Sequence, residues 1–191
     1  MIYETIVTSM DAKGIPHVAP FGIREQDGLV AISPFRPSTT LDNFLTSRVA
    51  VVNFTDDVRV FAGALTGRSP WTLSRARKVD GFILDGSLAH QELELVDIRE
   101  DSLRPQLLFK VVHEEIHLPF KGFNRAQAAV IELAILVSRL HMLPIEKITS
   151  EIDYLKIAIE KTAGTRELQA WGWLMERVEN HKAQLSGENQ A

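Results

Sequence analysis

The chain has no cysteine. That removes disulfide frameworks, cysteine-ligated zinc, iron–sulfur clusters and thiol nucleophiles together. Long apolar runs are missing too. The most apolar stretch, AQAAVIELAILV, is interrupted by Glu132 and is too short to span a bilayer. The opening MIYETIVTSMDAKG lacks a basic segment followed by a long apolar one. A cytoplasmic protein with no membrane partner is expected. Neither sign of charge dominates: 21 Lys and Arg against 25 Asp and Glu give a net charge of −4, which argues against a nucleic-acid partner. What remains is 191 residues, 45% of them apolar, enough for one substantial core or a compact domain with an appended subdomain.

The first half reads in strand-sized pieces. IYETIVTSM is rich in β-branched residues, and PHVAPFGIRE and LVAIS follow it across turns at Gly14 and Gly28. LDNFLTS reads as a short helix and RVAVVNF as a buried strand. Residues 56–80, which include TGRSPWTLSRARK, read as one or two short helices with loops. LAHQELELVDIRE and QLLFKVVHEEIHL read as two further strands, with Leu93, Leu95 and Asp97 alternating against Glu92, Glu94 and Val96.

HEEIH, residues 113–117, matches the zinc-protease pattern H-E-x-x-H, in which His113 and His117 would bind the ion and Glu114 would be the base. That chemistry needs a helix. Val111, Val112, Pro119 and Gly122 favour a strand ending in a turn. At about 3.3 Å per residue the two histidines would then lie about 13 Å apart, too far to share one zinc. No metal is expected, and His113 and His117 become same-face strand residues with a structural or solvent-facing role.

From Asn124 the periodicity becomes helical. NRAQAAVIELAILVSRLHM is apolar nearly all round, with Asn124 and Gln127 spaced as a capping box. Ile145, Ile148, Ile152, Leu155 and Ile159 form one helix seam. Leu168, Trp171, Met175 and Val178 form another, so two antiparallel helices joined at Gly164 should bury these stripes on each other. The expected division is a barrel domain over 1–122, a helical extension over 123–185 and a disordered tail over 186–191.

The most informative stretch is SPFRPSTTLDNF. It leaves a strand, passes two prolines and delivers Arg36, Ser38, Thr39 and Thr40 to a helix N-terminus. A phosphate wants this combination: free backbone N–H groups, the helix dipole, hydroxyl donors and a guanidinium fork. A plain helix cap, with Asp42 completing a capping box, shares the same geometry.

The order of HVAPFGI and LVAISPFRPSTTLDNFLTSRVAVVNFTDD resembles the FMN-binding split barrel of flavin reductases and pyridoxamine-phosphate-oxidase-like proteins. The whole chain resembles a small family of uncharacterised flavoproteins that combine this barrel with a helical C-terminal part; VAPFG, FRPSTTLDNF, VVNFTDD and FNRAQAAVIE are the most specific pieces. The resemblance implies a mainly β, α+β fold: an FMN-binding split β-barrel of Greek-key topology with a C-terminal helical subdomain. It implies FMN, its phosphate held at Arg36, Ser38, Thr39 and Thr40, its isoalloxazine along Ala19, Pro20 and Phe21, and Asn53 nearby. These flavoproteins are usually homodimers with FMN near the shared interface, so Asn124 and Arg125 could reach the cofactor from a partner chain; for Asn124 the helix-cap reading is preferred. Relatives occur in organisms that use tetrahydromethanopterin, which suggests by analogy a pterin-related substrate.

A flavin carries its own redox chemistry, so the lack of a triad excludes nothing. The function expected is a flavin-reductase-type oxidoreductase acting on a small molecule, with NADH or NADPH as the candidate donor. The alternative is a flavin-binding module without turnover. His17 is read first as a strand-end surface residue and second as a proton donor. Arg68, Arg75, Arg77 and Lys78 around Trp71 are read first as a solvated face and second as an anion site. Glu132 and Arg139 are read as a buried pair, and His141 as a helix-end residue.

Overall fold

The computed structural model describes residues 1–69 and 71–188. It divides into two compact units, Met1–Asp56 with Pro70–Phe120, and Asp57–Ser69 with Lys121–Ala191. In chain order the first unit contains β1 (Tyr3–Met10), β2 (Pro16–Gln26), β3 (Leu29–Ile32), α1 (Thr39–Ser47), β4 (Val49–Phe54), β5 (Leu73–Arg75), β6 (Phe82–Leu84), β7 (Ala89–Arg99) and β8 (Gln106–Ile116).

Six of these strands close a barrel in the order β1-β2-β3-β8-β7-β4. Three strands meander and β4 returns beside β1, which is the Greek-key order. The turn between β2 and β3 is fixed locally: Asp27 and Gly28 both have positive φ, 53° and 78°, as a two-residue hairpin with native twist requires. The interior is lined by Val7, Ile23, Ile32, Val52, Leu93 and Phe109, and Leu41 and Phe44 of α1 pack on the same cluster. Phe44 meets Phe109 edge-on at 5.2 Å between ring centroids. Burying one such side chain contributes roughly 1.5–3 kcal/mol.

The outer face of β1, β4 and β7 is also buried, because the β5–β6 hairpin lies over it. Leu84 N–H donates to Asn53 Oδ1 at 2.8 Å, and the Thr8 hydroxyl donates to the Phe82 carbonyl. This hairpin falls in and just beyond the segment expected to hold only helices and loops; among the described residues there, only 59–66 are α-helical. Alternation along β7 also departs from expectation. A register shift between Leu95 and Asp97 exposes Val96 and Asp97 and turns Ile98 inward.

The helical unit contains α2 (Arg59–Thr66), α3 (Arg125–Val137), α4 (Ile145–Thr162) and α5 (Thr165–Glu188). Here α3 is central. Its Ala129, Val130, Leu133 and Val137 join Ile148, Ile152 and Ile159 of α4 and Ala170, Leu174 and Val178 of α5 in one buried cluster. The expected α4–α5 pair is therefore corrected: α4 packs chiefly on α3, and α5 packs on α2 and α3. The α5 seam is rotated to match. Ala170, Leu174 and Val178 are buried, Trp171 and Met175 are half-buried and Leu168 is exposed. Glu132 and Arg139 are both exposed rather than a buried pair. Ser186 continues α5, which runs to Glu188 and overlaps the expected tail; residues 189–191 lie outside the described residues.

Candidate functional site

The barrel ladder has a gap. β2 pairs with β1 from Pro16 to Ile23, but with β3 only at Arg24, Glu25 and Gln26. His17 to Gly22 therefore leave one backbone edge outside the barrel ladder, and all six residues are half-buried. This is where a strand can hold Pro20, whose missing N–H would break a doubly paired ladder. Ala19, Pro20 and Phe21, the expected ring-binding residues, are the middle of that edge. His17 is half-buried at its start, and burial pushes its pKa below the ordinary imidazole value.

Helix α1 packs on the same pair of strands. Phe44 lies 6.5 Å from Phe21 between ring centroids, and Asn43 Nδ2 donates to Ser9 Oγ at 3.0 Å. Ser9 is the β1 partner of His17. At the N-terminus of α1, Ser38 is the N-cap and its Oγ accepts from Leu41 N–H at 3.3 Å. The Asp42 N–H begins the helical ladder on the Ser38 carbonyl. Helix geometry leaves the Thr39 and Thr40 N–H groups with no intrahelical acceptor. Capping also leaves the Ser38 hydroxyl hydrogen available to a ligand, so the cap does not preclude anion binding here. The Thr39 side chain is exposed; Thr40 is buried and offers its backbone.

Arg36 is exposed and pairs with Glu100 at 3.2 Å, with both side chains largely in solvent. Such a pair is worth about 0–1 kcal/mol, so a phosphate could take the guanidinium from it. Sequence reasoning missed Arg104. Its Nε donates to the Ser33 carbonyl at 2.8 Å, and its guanidinium lies 4.9 Å over the Phe35 ring. A second cation is thereby fixed beside the same loop. Nothing local in the sequence signals this, because Arg104 comes from the turn between β7 and β8.

The remaining expected residues each have packing partners of their own. Asn53 is completely buried. Its amide donates to the Ile6 carbonyl at 3.2 Å while its carbonyl holds Leu84 N–H, so it fastens the hairpin to the barrel. Asn124 and Arg125 belong to the helical unit. Asn124 Oδ1 caps α3 by accepting from Ala126 N–H at 2.7 Å, and its Nδ2 donates to the Thr162 carbonyl. The Gln127 side chain reaches across to α5, where its Nε2 donates to Glu167 Oε1 at 3.3 Å. Arg125 is exposed. Of the basic residues around Trp71 in the sequence, Arg68 pairs with Glu176, Arg75 with Asp80 and Arg77 with Glu115.

Beneath the hairpin loop lies a second polar group of residues. Glu92 is fully buried and accepts the N–H groups of Arg77, Lys78 and Val79 at 2.8, 2.6 and 2.9 Å. Burial alone would push its carboxyl up. The three backbone donors and His90 outweigh that and hold it below the usual range. Burial pushes the His90 pKa down against the opposing pull of Glu92. Segment 113–117 is extended up to Ile116, as expected. Glu114 therefore faces away from the histidines, toward Gln91. His113 and His117 both approach His90: His117 stacks on it at 5.0 Å and His113 meets it edge-on at 5.8 Å.

A family model described as the N-terminal domain of a protein of unknown function (DUF447) matches residues 3–118, and a second model of DUF447 matches residues 124–176. No curated protein matches the sequence. An FMN-bound protein of Methanosarcina mazei, assigned to the same family model, superposes with a TM-score of 0.79 at 18% identity, covering 92% of this chain and 94% of that one. The 2-nitrobenzoate 2-nitroreductase of Pseudomonas fluorescens gives 0.52 at 20% identity, over 60% and 64% of the two chains. An NADH:FAD oxidoreductase of Streptomyces globisporus gives 0.52 at 14%, over 60% and 75%. The fold is that of the flavin-reductase-like barrels. Among the described residues no helix is long and apolar enough to cross a membrane.

Proposed function

We propose that this chain, which belongs to the DUF447 family, binds FMN on its barrel and serves as a flavin-reductase-type oxidoreductase for a small molecule. The observation that carries the proposal is the pairing of the unladdered β2 edge with the free N-terminus of α1. The Thr39 and Thr40 N–H groups, the Ser38 and Thr39 hydroxyls and Arg36 suit a phosphate. The half-buried Ala19, Pro20 and Phe21 suit a flat ring that hydrogen-bonds along a backbone edge. Bound FMN would supply the redox chemistry. The chain would supply orientation, the phosphate anchor and an apolar wall. The open β2 edge also suits a homodimer in which a second copy completes the site.

FMN titration of the purified protein tests this directly, and absence of saturable binding refutes it. In Arg36→Ala/Thr39→Ala, FMN affinity should fall at least tenfold, about 1.4 kcal/mol, while riboflavin affinity and the unfolding curve stay as in the wild type. Equal losses for FMN and riboflavin would place the phosphate elsewhere. Turnover is read separately, by NADH or NADPH reduction followed by reoxidation with small acceptors, pterins among them. One observation favours a carrier or sensor without turnover: His17 is the sole titratable side chain from Pro16 to Ile23, and burial favours its neutral form. A flavin that neither nucleotide reduces would select that reading.

A further inference from the structure

His90, His113 and Glu115 each present a ligand atom within 4.8 Å of the others. They come from β7 and β8, where His90 is registered with Glu115 and Glu92 with His113. A bulge sets their direction. Glu92 pairs with His113 but Leu93 pairs with Val111, so Val112 is the extra residue. Val111 therefore packs with the interior cluster while His113 and Glu115 stay on the outer face with His90 and Glu92. Bulges that re-aim side chains in this way are common beside functional sites.

The hydrogen bonds prepare these groups as ligands. Glu92, held ionised by three backbone donors, can only accept from His90 Nε2, 3.3 Å away. The proton of neutral His90 is thus on Nε2, and the lone pair on Nδ1. For Nδ1 to take an ion, His117 must give up its 2.8 Å contact with it, and Glu92 would then fix the imidazole from behind, as a carboxylate does for many metal-bound histidines. His113 Nε2 is buried with no hydrogen-bond partner, an arrangement that costs about 1–3 kcal/mol unless something satisfies it. Glu115 Oε1 lies 3.2 Å from Arg77, while Oε2 faces His113 Nε2 at 3.6 Å. His117 is tethered by its N–H to the Leu88 carbonyl, and its Nε2 sits 2.8 Å from His90 Nδ1.

We infer that His90, His113 and Glu115 form a binding site for a divalent transition-metal ion of the zinc class, with His117 at its mouth. Two imidazoles and one carboxylate are a donor set that such ions accept, with bonds near 2.1 Å. Those bonds place ligand atoms roughly 3.4 Å apart, so a contraction of up to about 1.4 Å closes the observed cluster. The ion would tie β7 to β8 and, through Glu92, to the loop at residues 77–79. This site shares no residue with the proposed flavin surface.

The test is Zn²⁺ titration of the full-length, chelator-treated protein by calorimetry, with thermal unfolding in parallel. One zinc per chain and a zinc-dependent rise in Tm are expected. His113→Ala and Glu115→Gln should each weaken zinc binding about 100-fold or more and abolish the rise in Tm. Both side chains are partly exposed, and apo melts matching the wild type would show that each variant folds. His141→Ala, in the helical unit, should bind zinc like the wild type. Absence of stoichiometric binding, or unchanged affinity in both cluster variants, overturns the inference.

Discussion

Replacing Glu92 with Gln tests whether this buried carboxylate holds the hairpin over the barrel. Oε1 accepts from Arg77 N–H and lies by His90 Nε2, while Oε2 accepts from Lys78 and Val79 N–H. An amide nitrogen at the Oε2 position would face two donors. Placed at the Oε1 position, it would face only the Arg77 N–H, and His90 could change tautomer to accept from it. Even this better orientation leaves one buried donor unsatisfied, about 1–3 kcal/mol, and removes the charge that strengthens the other two bonds. A net loss of about 3 kcal/mol is expected. For a chain of this size that is roughly 6–12 °C in Tm. The loss should be local as well as global, so amide exchange of residues 73–84, followed by mass spectrometry, should accelerate roughly 100-fold if opening of the hairpin limits it. A Tm within 1 °C of the wild type with unchanged exchange in that segment would refute the argument.

Two further outcomes concern the helical unit. In Leu174→Ala the fully buried side chain at the centre of the α5 seam is lost, and destabilisation of about 3 kcal/mol is expected from denaturant unfolding; Leu168→Ala, at an exposed position, should change stability by less than about 0.5 kcal/mol. Burial pushes the Asp57 carboxyl up, but hydrogen bonds from the Arg59 side chain and backbone, with the charges of Arg59 and Arg166, hold it below its ordinary value. A folded-state pKa lowered in this way adds stability that is fully present above the unfolded carboxylate value, near 4, and is lost as pH falls through the folded one. Melts of wild type and Asp57→Asn should therefore differ by a constant amount from pH 7 to about pH 5 and converge below pH 4; a gap that persists in acid would exclude the carboxylate as its cause.

Local signals carried the barrel because its strands declare themselves residue by residue. The Asp27–Gly28 turn, the β-branched run of β1 and the apolar run of β4 need no partner to be recognised. The helix start at Ser38 and the cap at Asn124 are equally local, since each is a side chain closing on an N–H two or three residues away. What could not be read is set by packing at a distance. The α5 seam depends on which helices it faces, and α2 and α3 take the place expected for α4, shifting the buried positions to Ala170, Leu174 and Val178. The strands of the β5–β6 hairpin are only three residues each, and their anchors, Thr8, Asn53 and Glu92, come from three barrel strands. Arg104 reaches the 33–36 loop from a distant turn. Nothing in the sequence near Ser33 points to it.

HEEIH shows the same limit at a single motif. Spacing along one extended strand argued that His113 and His117 could not share an ion, and the strand is indeed extended there. Ligands for a strand residue need not come from its own segment. In a sheet, the neighbours of an outward side chain are its cross-strand partners. The register of β7 on β8 sets His90 and Glu92 opposite Glu115 and His113. One residue of slip would turn the β7 pair to the other face, and only the bulge at Val112 lets the same two strands fill the interior with Leu93 and Val111. Deleting Val112 should therefore force a choice: either Val111 leaves the core, at a cost of about 1.5–3 kcal/mol for one apolar side chain, or His113 and Glu115 turn away from His90. Zinc titration beside a thermal melt distinguishes the two. A deletion variant with wild-type stability and wild-type zinc affinity would show that the bulge does not set the geometry of this cluster.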